Sequence, residues 1–280
     1  MSFPRGATRA VLPQPDGLAE NARLVDVYNS YFEAVFAETD EQRRAAFRLR
    51  YDVYCVENPF EDPKQNPHGM ETDAYDAASL HSLLVRRTTR EVVGTVRLIL
   101  PSQGELPIRK ICHNQLILQD NPILPQAKTA EISRFAISKK LRRRATDESI
   151  VGGLTTGADD LRRQIPNTSL GLMQAIVAMA ARGGITHLCA VMEPTLLRML
   201  GRLGIHFKRL GPKVEYHGVR QPCYCDLDEL LSRIWVERPD VWDVITREGR
   251  LWPLNVHLAA WLCSEGGGPN SPTTDAPGNS

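Results

Sequence analysis

The stretch AEISRFAISKKLRRR, Ala130 to Arg144, decides how this chain is read. It opens as a buried strand would, with Ile132, Phe135, Ala136 and Ile137, yet it carries Glu131 and Arg134 inside the apolar run. Five cations in six positions follow: Lys139, Lys140, Arg142, Arg143 and Arg144. An ion isolated in a core costs several kcal/mol even after relaxation, as an order of magnitude, so charges placed here predict partners brought in from other segments. In a regular strand, residues three apart point to opposite faces. Glu131 and Arg134 therefore share a pocket only if a bulge intervenes.

Working outward, further charges stand where the apolar pattern would prefer none: Arg50 in EQRRAAFRLRYDVYCVE, Asp73 and Asp76 in METDAYD, and Arg97 in VGTVRLIL. With Glu131 and Arg134 they make three acids and three arginines, a set that sums to zero if it meets in one cleft. Arginine suits such a cleft because its planar fork holds two carboxylates and stays charged. Taken singly, each has a plainer reading: edge-strand arginines, turn-capping aspartates, a glutamate facing water.

The rest of the pattern sets the fold. GLAENARLVDVYNSYFEAVFAE reads as one helix, with Leu24, Val27, Tyr28, Tyr31 and Val35 on one face. Thr39 to Gln42 looks like a capping box opening a second helix. SLHSLLVRR and EVVGTVRLILP predict a hairpin turning at Thr88–Arg90. Asn167-Thr168-Ser169 can cap the helix LGLMQAIVAMAARGG, whose row Leu172, Ile176, Met179 and Ala180 reads as helix core. ITHLCAVM predicts a strand, EPTLLRMLGRLG a helix with proline in its first turn, HFKRLGPKVEYHGVRQPCYCDL one or two strands, and LDELLSRIW and RPDVWDVITRE closing helices. The order implies an α/β fold with a mixed central sheet covered by helices on both faces. Residues 1–16 read as a flexible lead-in, 17–263 as a single domain, and 264–280 as a disordered tail.

Composition narrows the function. The chain has 280 residues, 42% hydrophobic and 24% charged, with a net charge of +1, so no global field draws it to nucleic acid or a membrane surface. No run of about 18 apolar residues predicts an integral membrane segment and no apolar signal core opens the chain, which makes the cytoplasm the expected compartment. The six cysteines lack zinc-type spacing and read as reduced structural thiols. His187, His206 and His217 show no ligand spacing, so no metal site is expected, and His81 reads as a packed histidine.

The ordered set FRLRYDVYCVENPF, METDAYDAASLHSLLV, GTVRLIL and EISRFAIS resembles the N-acyl-homoserine lactone autoinducer synthases over roughly residues 47–212. It looks closer still to the acyltransferases associated with PEP-CTERM/exosortase systems, and is more distantly similar to the N-acyl amino acid synthases. The resemblance implies a GNAT-like acyltransferase fold, with Arg50, Asp73, Asp76, Arg97, Glu131 and Arg134 on the family's charged active-site positions. Tyr54 stands where the autoinducer synthases usually have phenylalanine, and Phe60 where they usually present a tryptophan near the amino-substrate pocket.

That resemblance implies an N-acyltransferase with no bound cofactor. Its donor would be an acyl-phosphopantetheine on an acyl carrier protein, or acyl-CoA, and its acceptor the amine of an amino acid or similar small molecule. The alternatives are an autoinducer synthase using S-adenosylmethionine and a non-catalytic acyl- or carrier-binding module. Amine attack needs a proton acceptor; Glu131 is the first candidate and Asp73 the second, with Arg134 beside them. Backbone N–H groups around Phe135 to Ile137 would stabilise the oxyanion, and Ser133 would orient the thioester or the departing thiol. The run Lys139, Lys140, Arg142, Arg143 and Arg144 would dock an acidic carrier protein; its plain reading is a solvated loop. The usual glycine-rich acetyl-CoA loop is absent there.

Overall fold

A computed structural model describes residues 23–101, 105–112, 124–139 and 156–264, with backbone alone for 156–167. The lead-in 1–16 and the tail 265–280 lie outside the described residues.

The hairpin is where the sequence places it. β2 (Ser79–Arg86) and β3 (Val92–Ile99) pair antiparallel, and Arg90 turns the chain with φ +57°. β4 (Thr129–Ile137) is the opening stretch of the sequence and pairs antiparallel with β3. β5 (His187–Met192) lies parallel to β4, and β8 (Val219–Asp226) runs antiparallel to β5. The short β6 (Lys208–Arg209) and β7 (Val214–Glu215) both pair with β8. Side chains of a strand alternate between faces. Leu84 of β2 therefore meets the large helix on one side, while Leu83 and Val85 join Ala46 on the other.

The first predicted helix is divided. α1 covers only Leu24–Tyr31; Phe32–Phe36 is an edge strand, β1, paired antiparallel with β2. FEAVF is rich in residues that fit a pleated surface, and the open edge of β2 supplies a backbone partner that a helix would forgo. α2 (Asp40–Tyr51) begins at Thr39 with the full capping box to Gln42. It continues into a π-helical turn, Asp52–Glu57.

α3 (Pro107–Ile111) is one short turn beside β5. α4 runs from Thr156 to Gly183, so Asn167, Thr168 and Ser169 lie within it and do not cap it. Serine and threonine hydroxyls bond equally well inside a helix, and Ser169 Oγ reaches Met199 Sδ. α4 ends as read, at Gly183 and Gly184, the latter with φ +62°. Its row Leu172, Met173, Ile176, Met179 and Ala180 belongs to the main core. α5 (Pro194–Gly201), α6 (Leu227–Glu237), α7 (Pro239–Thr246) and α8 (Val256–Ser264) complete the described residues.

α4 approaches β2 closely because Gly171 faces it. A Cβ added there would lie 2.5 Å from Leu84 Cδ1 and 3.0 Å from Tyr28 Oη, both on buried side chains. Gly171→Ala gains up to about 1 kcal/mol of helix propensity but overpacks a filled core, at roughly 1–3 kcal/mol. The expected outcome is a net loss, seen as a lower urea midpoint with an unchanged m-value.

Candidate active site

The charged residues converge. Arg50, at the end of α2, is fully buried: Nε donates to Glu71 (2.6 Å), Nη1 to Asp76 Oδ1 (2.6 Å) and Nη2 to Asp76 Oδ2 (3.2 Å). From β3, Arg97 donates through Nη1 to Asp73 and Asp76 (both 2.6 Å), through Nη2 to Asp73 (2.9 Å), and through Nε to Ser133 Oγ (2.9 Å). From β4, Arg134 Nη2 donates to Glu71 (2.8 Å), Glu61 (3.1 Å) and Asp73 (3.2 Å). Carboxylates of one loop, residues 58–78, thus bind arginines from a helix and two strands.

Backbone geometry resolves the question posed by Glu131 and Arg134. The β3–β4 register slips between Thr95, opposite Ala136, and Arg97, opposite Ser133, and Arg134 sits in the left-handed region at φ +50°. Such a bulge adds one residue to β4 and re-aims the side chains around it. Both Glu131 and Arg134 then line one cavity of about 660 Å³. The parallel pairing of β4 with β5 covers only Thr129–Glu131 against His187–Cys189, after which the strands part. Ile132, Ser133, Phe135 and Ile137 on one side and Ala190, Val191 and Met192 on the other line the resulting split.

Glu131 departs from the expected pairing. Among the described residues no ion pair reaches it; its carboxylate accepts the Ile108 N–H (2.8 Å) at the start of α3. Burial pushes its carboxyl up to about 8, against the pull of that N–H and of the Arg97 charge. The buried acid that joins Arg50 to Arg134 is instead Glu71, 2% exposed between them. Its signal lay in METDAYD, where Glu71 precedes Asp73 and Asp76; counting Glu131 as the third acid left no arginine for it to balance. Burial also acts on Glu71, Asp73 and Asp76, but the arginines prevail. Hydrogen bonds and charge from Arg50 and Arg134 lower Glu71, those of Arg97 lower Asp73, and Arg50 with Arg97 holds Asp76 at about 2.

The other predicted residues surround this centre. Arg134 stacks 5.5 Å from the Tyr54 ring centroid, and burial raises the Tyr54 hydroxyl to about 12. The π-helical turn lets the Tyr54 carbonyl accept the N–H groups of Phe60 (2.9 Å) and Glu61 (3.1 Å), which brings both to the cavity. Lys139 Nζ donates to the Glu57 carbonyl (2.9 Å) and Asn58 Oδ1 (2.8 Å) at the cavity wall. Lys140, Arg142, Arg143 and Arg144 lie outside the described residues. His81 is buried, edge-on to Phe47, with Nε2 3.1 Å from the Asp76 carbonyl; burial lowers its pKa. Glu61, Tyr75, Tyr216, His217 and Arg220 also line the cavity, and the sequence reading missed them.

Comparison with known proteins bears on the fold and the class of enzyme. The acetyltransferase (GNAT) domain family matches residues 49–151. The acyl-homoserine-lactone synthase of Vibrio anguillarum is 27% identical over 191 residues, 68% of this chain and 85% of that protein. TofI, solved in a ternary complex with an inhibitor and MTA, has 23% identity and a TM-score of 0.52 over 73% of this chain and 96% of its own. BjaI, a CoA-dependent acyl-homoserine lactone synthase solved with MTA, has 21% identity and a TM-score of 0.51 over 79% and 89%. The chain has a GNAT-like fold and is an acyltransferase.

Linkage gives the raised Glu131 carboxyl a measurable consequence. In the fold its proton is held up to about pH 8; in the unfolded chain a glutamate releases it near 4.3, a rough reference value. Between those limits folding takes up a proton, so this group's contribution is full below the window and is lost as pH rises through it. His81, lowered by burial, acts with the opposite sign. The difference between wild type and Glu131→Gln isolates Glu131. The variant is expected to show a flatter fall in urea stability between about pH 5 and 8.

Proposed function

We propose that this acyltransferase moves a long-chain fatty acyl group from a phosphopantetheine thioester, on an acyl carrier protein or coenzyme A, to the amine of an amino acid or similar small acceptor. The observation that supports this most directly is Glu131: a buried carboxyl on the wall of the cavity, free of any arginine among the described residues and raised to about 8. A proton acceptor works best when its affinity lies near the working pH. Asp73, held low by Arg97, is the weaker base; in this reading it places the acceptor's ammonium group before the proton is lost.

The donor thioester occupies the split between β4 and β5, its carbonyl oxygen against backbone N–H groups near Phe135 to Ile137. The amine attacks the carbonyl carbon and its proton passes to Glu131, directly or through a water. The C–N bond forms, the C–S bond breaks, and the departing thiolate takes up the proton that Glu131 received, which returns Glu131 to the carboxylate. Ser133, which accepts from Arg97, keeps its own hydroxyl proton to donate to the thioester or the departing sulfur. Arg50, Arg134 and Asp76 hold the loop that carries Asp73, and Tyr54 and Phe60 wall the acceptor side. The reading places the protein in the cytoplasm, with Lys139, Lys140, Arg142, Arg143 and Arg144 meeting an acidic carrier. It retains the narrower kinship with PEP-CTERM/exosortase-associated acyltransferases, which an exosortase gene beside this one would support.

The Vibrio relative favours a second reading, acyl-homoserine lactone synthesis from S-adenosylmethionine. The two differ in product. Mass spectrometry of lipid extracts from overexpressing cells is expected to show a new N-acyl amino acid; a lactone would establish the second reading, and no new species would leave a binding module. With purified protein the rate is expected to rise with an apparent pKa near 8, following the Glu131 carboxyl. Glu131→Gln should lower kcat about a hundredfold or more and remove that limb; an unchanged profile would exclude Glu131 as the base.

A further inference from the structure

An amino acid acceptor brings a carboxylate, and the cavity must neutralise it. The cations among the described lining residues are Arg97, Arg134, Lys139 and Arg220. All three side-chain nitrogens of Arg97 are engaged by Asp73, Asp76 and Ser133, and Arg134 binds Glu61, Glu71 and Asp73. Lys139 is held by the Glu57 carbonyl and Asn58, at the end of β4 where the donor side opens. Arg220 differs. Its guanidinium is paired through Nη1 with Glu193 (2.9 Å), whose side chain is 47% exposed, while that of Arg220 is 12% exposed.

Strand register places Arg220 on the reacting side of the sheet. Glu131 lies beside Cys189, and Cys189 beside Tyr224, so the three share one face. Tyr224 and Arg220 are four apart on β8 and point the same way, toward the end where β4 and β5 have parted. Across the cavity Arg220 stacks 5.6 Å from the Phe60 centroid, and Phe60 lies 5.9 Å from the His217 ring. Phe60 precedes Glu61, which binds Arg134. A flat cation thus rests on an aromatic ring at the acceptor side, its counter-ion half in water.

We infer that Arg220 is the acceptor's carboxylate anchor, exchanging Glu193 for the incoming carboxylate while Phe60 keeps its guanidinium flat. The inference deepens the acyl-transfer reading and rests on it. Exchange replaces a half-exposed pair, of small net worth, by a more sheltered and bidentate one. Glu193 does not cap α5 through its side chain, so it can release Arg220 without loosening the helix.

The test compares a mixture of the common amino acids with the matching mixture of their α-amides, using palmitoyl-CoA as donor and mass spectrometry of the N-acyl products. Wild type is expected to favour the acids. Arg220→Gln should raise the acceptor KM by about ten- to a hundredfold for acids and little for amides, with the palmitoyl-CoA KM unchanged. Arg220→Lys should recover part of the preference, since a point charge replaces the fork. Glu193→Gln, which removes the competing carboxylate, should lower the acceptor KM for acids, a change that a purely structural pair would not produce. An unchanged acid-to-amide ratio in Arg220→Gln, or a rise in the palmitoyl-CoA KM instead, overturns the inference and leaves the transfer reading standing. Wild type that acylates neither mixture, whether from palmitoyl-CoA or from palmitoyl-acyl carrier protein, overturns both.

Discussion

Three guanidinium groups beneath one face of a sheet constrain everything around them. Arg50 and Arg97 are almost wholly buried, and neither can shed its charge. Leaving any one unpaired would cost on the order of 3–5 kcal/mol, comparable with much of a domain's net stability. Loop 58–78 has little apolar side-chain mass to hold it down; what fixes it is the need of those cations for Glu61, Glu71, Asp73 and Asp76. The loop is therefore held beside the split between β4 and β5, where Asn58, Phe60, Glu61, Asp73 and Tyr75 line the cavity. The cavity is the space left between that loop, the two strands and the β7–β8 hairpin.

The same constraint accounts for the bulge. A regular β4 would turn Arg134 away from Glu131's face and strand it against the apolar side, where Ile132 packs. One extra residue, with Arg134 at φ +50°, returns the guanidinium to the carboxylates. Left-handed backbone at a non-glycine residue carries strain of about 1–3 kcal/mol, offset here by bonds to Glu61, Glu71 and Asp73. Local strain and distant charge are coupled.

How much of this the sequence disclosed follows from which forces are local. The capping box at Thr39, the Thr88–Arg90 turn, the glycine stop at Gly183 and the proline at Pro194 depend on neighbours in the chain, and all were legible. Phe32–Phe36 was not, because its state depends on the free edge of β2, roughly fifty residues away, and tertiary pairing overrides local period. The start of α4 at Thr156 failed for the converse reason: Thr168 and Ser169 carry cap chemistry that a helix interior also tolerates. Within the site, charges embedded in apolar runs announced Arg50, Arg97, Glu131 and Arg134. Glu71 was hidden in a polar loop where an acid is unremarkable, and Arg220 lay near the start of a strand whose partner was not predictable. A balanced tally of three and three concealed that Glu131 stands outside the pairs.

That separation divides the acids by environment. Glu71, Asp73 and Asp76 are desolvated beside guanidinium groups, which hold their protons off and fix them as anions. Glu131 is desolvated at least as fully, but its partner is a single amide at the start of a short helix, with Arg97 near enough to temper the shift and too far to form a bond. Burial ends in opposite outcomes because the deciding quantity is the charge adjacent to each carboxyl. One cluster can then be stable, since its anions are permanent, and still hold one group that exchanges a proton near neutral pH. Bringing Arg97 into contact with Glu131 would hold that carboxyl, like the other three, as an anion. The Arg97–Ser133 hydrogen bond, pinning Nε to the next residue of the same strand face, keeps the two apart.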